Sequence, residues 1–482
     1  MENFFLTLGI LVFIFGIIFV AVYWLSKSTV GRKKPMELNG SGRFDYKSEK
    51  SITADFTFKW DKQNFSRMPR LQIFAVSKDC DLIYHLTNLP FFPWDFKGET
   101  NDGRVFTANG LALSSRGEKI DKGIDEISLG FNCNLLQIGN QDNTFDYFEF
   151  YFPNVFIAFD EFEKVGKVST LNISNIYLEY NGCNYNLTFS GLNEIVTKKK
   201  SIIENGEDIL TVKITIRKLS NDLLFNEAKE VLEIISDLMG FVYGDPVNWI
   251  LGIAYKHNKE VFSQLRDVNF PSLHTFRKLI PVDSPRHLTS YLSQSFVIYA
   301  TLNEEKRKAI RRFNGGLHFS SERLVFPAPF TTLGSCIEDF VQYAVTEKDT
   351  HYIDTTERRK IDPSFAIWVK ENIVPLLNDI DKADFNDSGM KQKLSALIQR
   401  NLRSRINKLL ETYNIEYDQS WVSEFVKKRN SAAHGSYTFE KDDYLIWSRM
   451  VSLLERVILK EFNYKGDFID WSVSPPITKE FS

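Results

Sequence analysis

The sequence predicts an α+β protein of several domains: an N-terminal membrane-spanning helix, an antiparallel β-rich domain (sandwich or barrel-like), and a C-terminal all-α four-helix bundle. Three observations predict it. An almost unbroken apolar run covers residues 4–25, apolar residues alternate at strand period within 46–220, and apolar stripes at helical period recur across 331–463.

At 482 residues, with 14% aromatic residues and 41 Phe, the chain can build more than one core and is not a disordered polymer. Its net charge of −3 excludes a global basic field, so any nucleic-acid surface must be local.

The run over 4–25 has about the length that crosses a bilayer as a helix. Only Glu2 precedes it; Tyr23 and Trp24 suit the interface, and Lys27, Arg32, Lys33 and Lys34 follow. The positive-inside tendency then places the long C-terminal part in the cytoplasm, as a single-pass inner-membrane protein. A cleaved signal peptide fits poorly, because no basic segment precedes the run and no small-x-small site follows it. Residues 26–45, with Gly31, Pro35, Gly40 and Gly42, read as a juxtamembrane linker.

Within 46–220, Phe56, Phe58 and Trp60 alternate with polar residues, as do Leu210, Val212, Ile214 and Ile216. Asn181-Gly182 between two β-rich runs is a hairpin signal. A connecting region, 221–330, opens with Phe225, Ala228, Leu232, Ile235, Leu238, Met239 and Val242 at helical spacing, stopped by Gly244-Asp245-Pro246. The charged segment from Glu304 to Arg312 reads as a solvated helical face.

Four helices follow. The first carries Leu333, Ile337, Phe340, Val341 and Ala344 on one stripe. The second is expected to start at Asp362-Pro363, to carry Phe365, Trp368, Val369, Ile373, Leu376, Leu377 and Ile380, and to kink at Pro375. The third aligns Leu394, Ile398, Leu402, Ile406 and Leu409. The last turns Ile446, Trp447, Met450, Val451, Leu454, Val457 and Ile458 inward, with Arg449, Ser452, Glu455, Arg456 and Lys460 outward. Residues 464–482 read as a C-terminal tail. Cys80, Cys133, Cys183 and Cys336 show neither Cys-x-x-Cys pairing nor zinc spacing, so reduced thiols and no structural zinc are expected.

Between the last two long helices stands Arg429-Asn430-Ser431-Ala432-Ala433-His434-Gly435. Phosphodiester cleavage calls for a fixed cation beside a group that titrates near neutrality. Arg and His are those residues. Asn430 and His434, four apart, share a helical face, whereas Arg429 and His434 stand about 140° apart around the axis. Either the helix unwinds near Gly435, or a complete site takes residues from two copies across a symmetric dimer. The same residues also suit an ordinary helix C-terminus, where basic side chains meet the macrodipole and glycine caps. Spacing alone decides little: Arg312 and His318 are separated much as Arg429 and His434 are, with Asn314-Gly315-Gly316 between them.

A basic run of Lys391, Lys393, Arg400, Arg403, Arg405 and Lys408, with Lys427 and Lys428 near the motif, suits phosphate contact. Glu338 reads as an exposed helical carboxylate, with a supporting role near the motif as the alternative. No Walker loop, Gly-x-Gly-x-x-Gly, Gly-x-Ser-x-Gly or His-Glu-x-x-His occurs.

Residues 330–463 resemble the HEPN superfamily (higher-eukaryote and prokaryote nucleotide-binding), whose ribonucleases carry Arg, a polar residue, further residues and His in a four-helix bundle. Arg429, Asn430 and His434 match that pattern. The layout looks most like the ApeA-like anti-phage branch. The resemblance implies a homodimeric, metal-independent endoribonuclease without cofactor, leaving a 2′,3′-cyclic phosphate. Arg429, Asn430 and His434 would be catalytic; Lys393, Arg400, Arg403, Lys408, Lys427 and Lys428 would bind RNA, single-stranded or tRNA. It further implies abortive-infection defence, with a possible phage-derived trigger sensed by the β-rich part. The alternative is a non-catalytic HEPN module tethered to the membrane that binds a nucleotide or RNA, or serves as a scaffold.

Overall fold

The computed structural model describes residues 36–46, 50–60, 70–77, 94–121, 124–159, 161–165, 169–192, 208–220, 222–269, 271, 277–322, 325–345, 350–377 and 398–481. The chain divides into two compact units, 1–134 and 135–482.

In the first unit, six antiparallel strands close on themselves. They are β1 (Met36–Tyr46), β2 (Lys50–Trp60), β3 (Arg70–Ser77), β4 (Trp94–Thr100), β5 (Val105–Asp121) and β6 (Ile124–Asn132). Their order is β5-β4-β1-β2-β3-β6, and β6 pairs back onto β5, so no edge is left within this ring. The interior is filled by phenylalanines: Phe56 stacks on Phe106 at 4.2 Å and meets Phe96 edge-on at 5.4 Å. The expected linker 26–45 is corrected here, because Met36 to Asp45 belong to β1. Gly40 and Gly42 are strand glycines: a Cβ at Gly42 would lie 2.3 Å from the Phe96 ring.

The second unit holds an antiparallel sheet in the order β10-β11-β12-β13-β9-β15-β16-β7. Its strands are β7 (Leu135–Ile138), β9 (Tyr147–Pro153), β10 (Glu161–Val165), β11 (Ser169–Tyr180), β12 (Cys183–Gly191), β13 (Leu210–Lys218), β15 (Leu251–Lys256) and β16 (Lys259–Arg266); β8 (Thr144–Phe145) and β14 (Leu223–Leu224) form a small separate pair. The β11–β12 hairpin turns at Asn181 and Gly182, with φ of 51° and 72°. The hairpin β15–β16 lies in the expected connecting region and joins this sheet. A single β domain over 46–220 is therefore corrected: one ring lies before residue 135, and a second sheet runs beyond residue 220.

Eight α-helices follow β14 among the described residues: α1 (Phe225–Tyr243), α2 (His287–Thr301), α3 (Glu304–Glu322), α4 (Ala328–Ala344), α5 (Thr355–Asn372), α6 (Leu402–Thr412), α7 (Gln419–Ala433) and α8 (Asp443–Glu461). Helix α1 is buried nearly all round. Phe225 meets Phe148 and Phe262 of the sheet, and Phe241 meets Phe313 of α3 and Phe462 after α8. A continuous core thus joins sheet and helices, from Phe145 to Phe481.

Several helical expectations change. Helix α5 starts at Thr355, capped by the Asp354 carboxylate on the Glu357 N–H at 2.9 Å, so Pro363 is interior. It ends at Asn372, and Pro375 lies in a short 3-10 turn, Val374–Leu376. Of its expected stripe Val369 is buried, but Trp368 and Leu376 are 52% and 80% exposed. Ser452 and Glu455 of α8, expected outward, are buried against Arg277. The expected tail forms a hairpin, β17 (Gly466–Asp470) and β18 (Ile477–Phe481), with Phe468 and Phe481 buried.

The membrane helix expected over 4–25 lies outside the described residues. Among the described residues no helix is long and apolar enough to cross a membrane. Helix α1, with its apolar run, buries it in protein and carries Glu227, Lys229, Glu230, Glu233 and Asp237. The fold class is corrected to an α+β protein with no described membrane span, and the single-pass inner-membrane placement loses its support.

Candidate active site at the end of helix α7

Helix α7 begins where Asp418 accepts a hydrogen bond from the Ser420 N–H at 2.8 Å. Val422 and Phe425 bury one face, and Phe330 of α4 packs on Phe425 at 6.0 Å. The next inward position holds Lys428 instead of an apolar residue.

Lys428 is corrected from RNA contact to core. It is 8% exposed, and its ammonium lies 2.8 Å from Asp443 and 2.9 Å from Glu440. Asp443 is fully buried and also accepts from the Tyr437 hydroxyl and, at 2.8 Å, from the Glu440 N–H. Burial pushes the Asp443 carboxyl up, but the hydrogen bonds from Lys428, Tyr437 and the Glu440 N–H, with the Lys428 charge, hold it below the usual carboxylate range. This network ties the segment after the motif back onto α7.

Arg429 points toward α4. Its Nη2 lies 3.1 Å from Glu338 Oε1, and its stem crosses Gly334, where a Cβ would come within 2.9 Å of Arg429 Cγ. Arg405 of α6 reaches the same oxygen at 3.5 Å. Glu338 is therefore a shared carboxylate between two arginines. The signal in the sequence was Gly334-x-x-x-Glu338: one helical turn places a gap and an acceptor on one face.

Asn430 is exposed, and its Oδ1 accepts from Arg429 Nη1 at 3.3 Å. Its side chain makes no hydrogen bond to the His434 imidazole. The helix stays regular through Ala433, and His434 is its C-cap, donating its N–H to Asn430 O at 3.0 Å. Gly435 then turns left-handed at φ 71°, and the Ser436 N–H returns to Ser431 O at 3.0 Å, a Schellman closure. The His434 imidazole is exposed and has no hydrogen-bond partner among the described residues. Within one chain, then, Arg429 and His434 flank the helix end without contact.

The remaining basic residues divide. Lys393 lies outside the described residues. Arg400 is half-buried with its guanidinium 4.6 Å from the centre of the Tyr352 ring. Lys408 pairs with Glu411 at 2.6 Å. Arg403 and Lys427 are exposed, with no ion pair among the described residues. Among the described residues no group of three His, Cys, Asp or Glu side chains gathers to hold a metal.

Comparison of the chain with protein-family models, with curated proteins and with solved structures gave no match.

Proposed function

We propose that this chain is a HEPN-type endoribonuclease that cleaves RNA through its own 2′-hydroxyl, in a site completed by a second copy of the chain. The observation that carries this reading is the presentation of the motif. Arg429 is held at the protein surface by Glu338, while Asn430 and His434 stand exposed beside it at the end of α7. In the reaction, one neutral His434 takes the 2′-hydroxyl proton as that oxygen attacks phosphorus. The protonated His434 of the second copy gives its proton to the departing 5′-oxygen. Arg429 stabilises the charge gathering on the phosphate oxygens. The products are a 2′,3′-cyclic phosphate and a 5′-hydroxyl. Single-stranded RNA or tRNA is the substrate class. The setting we infer is anti-phage defence, with a phage-derived trigger.

A second reading, a non-catalytic module that binds RNA or a nucleotide, is favoured by one observation: part of the Arg429 fork is already occupied by Glu338. Purified full chain, labelled tRNA and single-stranded RNA, with and without EDTA, separate the two. Cleavage to cyclic-phosphate ends, insensitive to EDTA and lost in Arg429→Ala and His434→Ala, is expected. Binding without cleavage in the wild type selects the second reading.

A further inference from the structure

We propose that Arg405 and Arg429 form a two-guanidinium seat for one RNA phosphate, with Glu338 as the acceptor that the two forks share until the phosphate displaces it. The inference rests on the nuclease reading for the identity of its ligand. Its grounds are geometric. Both arginines approach a single oxygen, Glu338 Oε1, at 3.1 Å from Arg429 and 3.5 Å from Arg405. They come from different helices, α7 and α6, and the carboxylate comes from a third, α4. Three elements thus converge on one acceptor atom.

One carboxylate cannot neutralise two guanidinium groups. The cluster keeps one unit of positive charge, and a phosphodiester carries one unit of negative charge. Nor does Glu338 use the full donor capacity of the two forks. A guanidinium has five N–H donors. Among the described residues Arg405 engages Glu338 through Nη2 alone, and that contact is long at 3.5 Å. The side-chain exposures, 15% for Arg405, 24% for Arg429 and 35% for Glu338, place the carboxylate as the most open member. An incoming phosphate therefore meets the cluster on its accessible side and takes the place of the carboxylate, whose contact with Arg405 is the longer of the two at 3.5 Å. Planar paired donors favour phosphate oxygens over a monodentate anion.

The test uses the full chain and a labelled 2′-O-methyl oligonucleotide, which lacks the attacking hydroxyl and so reports binding alone. Arg405→Gln is expected to weaken binding about tenfold, as loss of a charge-assisted hydrogen bond does. It should also flatten the slope of log K against log salt by about 0.7, one phosphate contact on a single strand. Arg405→Lys should keep most of the salt slope but not all of the affinity. Glu338→Gln should bind more tightly than wild type, because it removes the competing carboxylate. These opposite signs distinguish a seat from a scaffold, whose loss in either variant would weaken binding. Melting temperatures within a few degrees of wild type establish that the variants are folded.

An Arg405→Gln protein with wild-type affinity and salt slope overturns the seat, and so does a Glu338→Gln protein that binds more weakly. If RNA is still cleaved by the wild type in that case, the nuclease reading stands alone. If the variants behave as expected and no RNA is cut, the seat stands and the nuclease reading fails.

Discussion

Lys428 and Asp443 form an ion pair at 2.8 Å with the carboxylate fully buried, one residue from the arginine of the candidate site. Neighbouring positions on α7 thus divide between structure and surface. Lys428→Met leaves Asp443 buried without its cation, and breaking such a pair costs about 3–5 kcal/mol. Urea denaturation of the variant should show that loss; a loss below about 1 kcal/mol would show the pair to be dispensable.

Acid should act through the same group. Asp443 and Asp470 are each pushed up by burial but held, on balance, below the usual carboxylate range by hydrogen bonds from Lys428 and Tyr437, and from Lys479 and Ser472. A carboxyl depressed in the folded state contributes stability that is present above its unfolded value, about 3.9, and is lost as pH falls through the folded value. The melting temperature should therefore drop steeply below about pH 4. Replacing either aspartate with asparagine should make that drop shallower, and an unchanged profile in both variants would remove the assignment.

Gly334→Ala probes the path of Arg429. A Cβ there would lie 2.9 Å from Arg429 Cγ and 3.1 Å from its Nε. A flexible side chain can move aside, so stability should change by less than about 1 kcal/mol. The displaced guanidinium should lower RNA cleavage by about 10–100-fold. Equal cleavage by variant and wild type would mean that the guanidinium position is not critical.

Arg277 makes two hydrogen bonds to Glu455, at 3.0 and 2.8 Å, and others to Ser448 and Ser452, between the rings of Trp447 and Trp471. Removing either charge should cost about 3–5 kcal/mol, while Arg277→Met with Glu455→Met together should cost less than the sum. Strict additivity in urea unfolding would argue against a coupled pair.

Burial pushes the Cys336 thiol up to about 11, with Asp339 adding to the shift. At pH 8 about one molecule in a thousand then carries the thiolate that alkylating reagents need. Iodoacetamide labelling followed by mass spectrometry should leave Cys336 unmodified in the folded protein and modify it in urea. Equal rates in both conditions would contradict its enclosure.

The readable parts of this fold were local. The apolar repeat of α1, its stop at Gly244 and the Asn181-Gly182 hairpin are each specified by residues close in sequence. What was not legible depends on distant partners. Gly40 and Gly42 carry the signal of a linker, yet they leave room for Phe56 and Phe96 across the strand ring. Glu455 and Ser452 look like a solvated helix face until Arg277, far upstream, buries them. Lys428 looks like a phosphate ligand until Asp443 claims it. At the candidate site the residue types of the motif were readable, but the shared use of Glu338 by Arg405 and Arg429 needed three helices in place.

The continuous core from sheet to helices also bears on how this protein can be cut or recombined. Helix α1 presents Phe225 to the strands and Phe241 to the helices, so both neighbours lose a wall if it is removed. A gene fragment beginning at residue 331 would leave behind Phe241, Tyr291 and Tyr299, the ring partners of Phe462, and expose bare apolar surface. The natural seam lies instead between Asn134 and Leu135. The smallest inheritable block that carries the Arg429 motif intact is the chain from that seam onward.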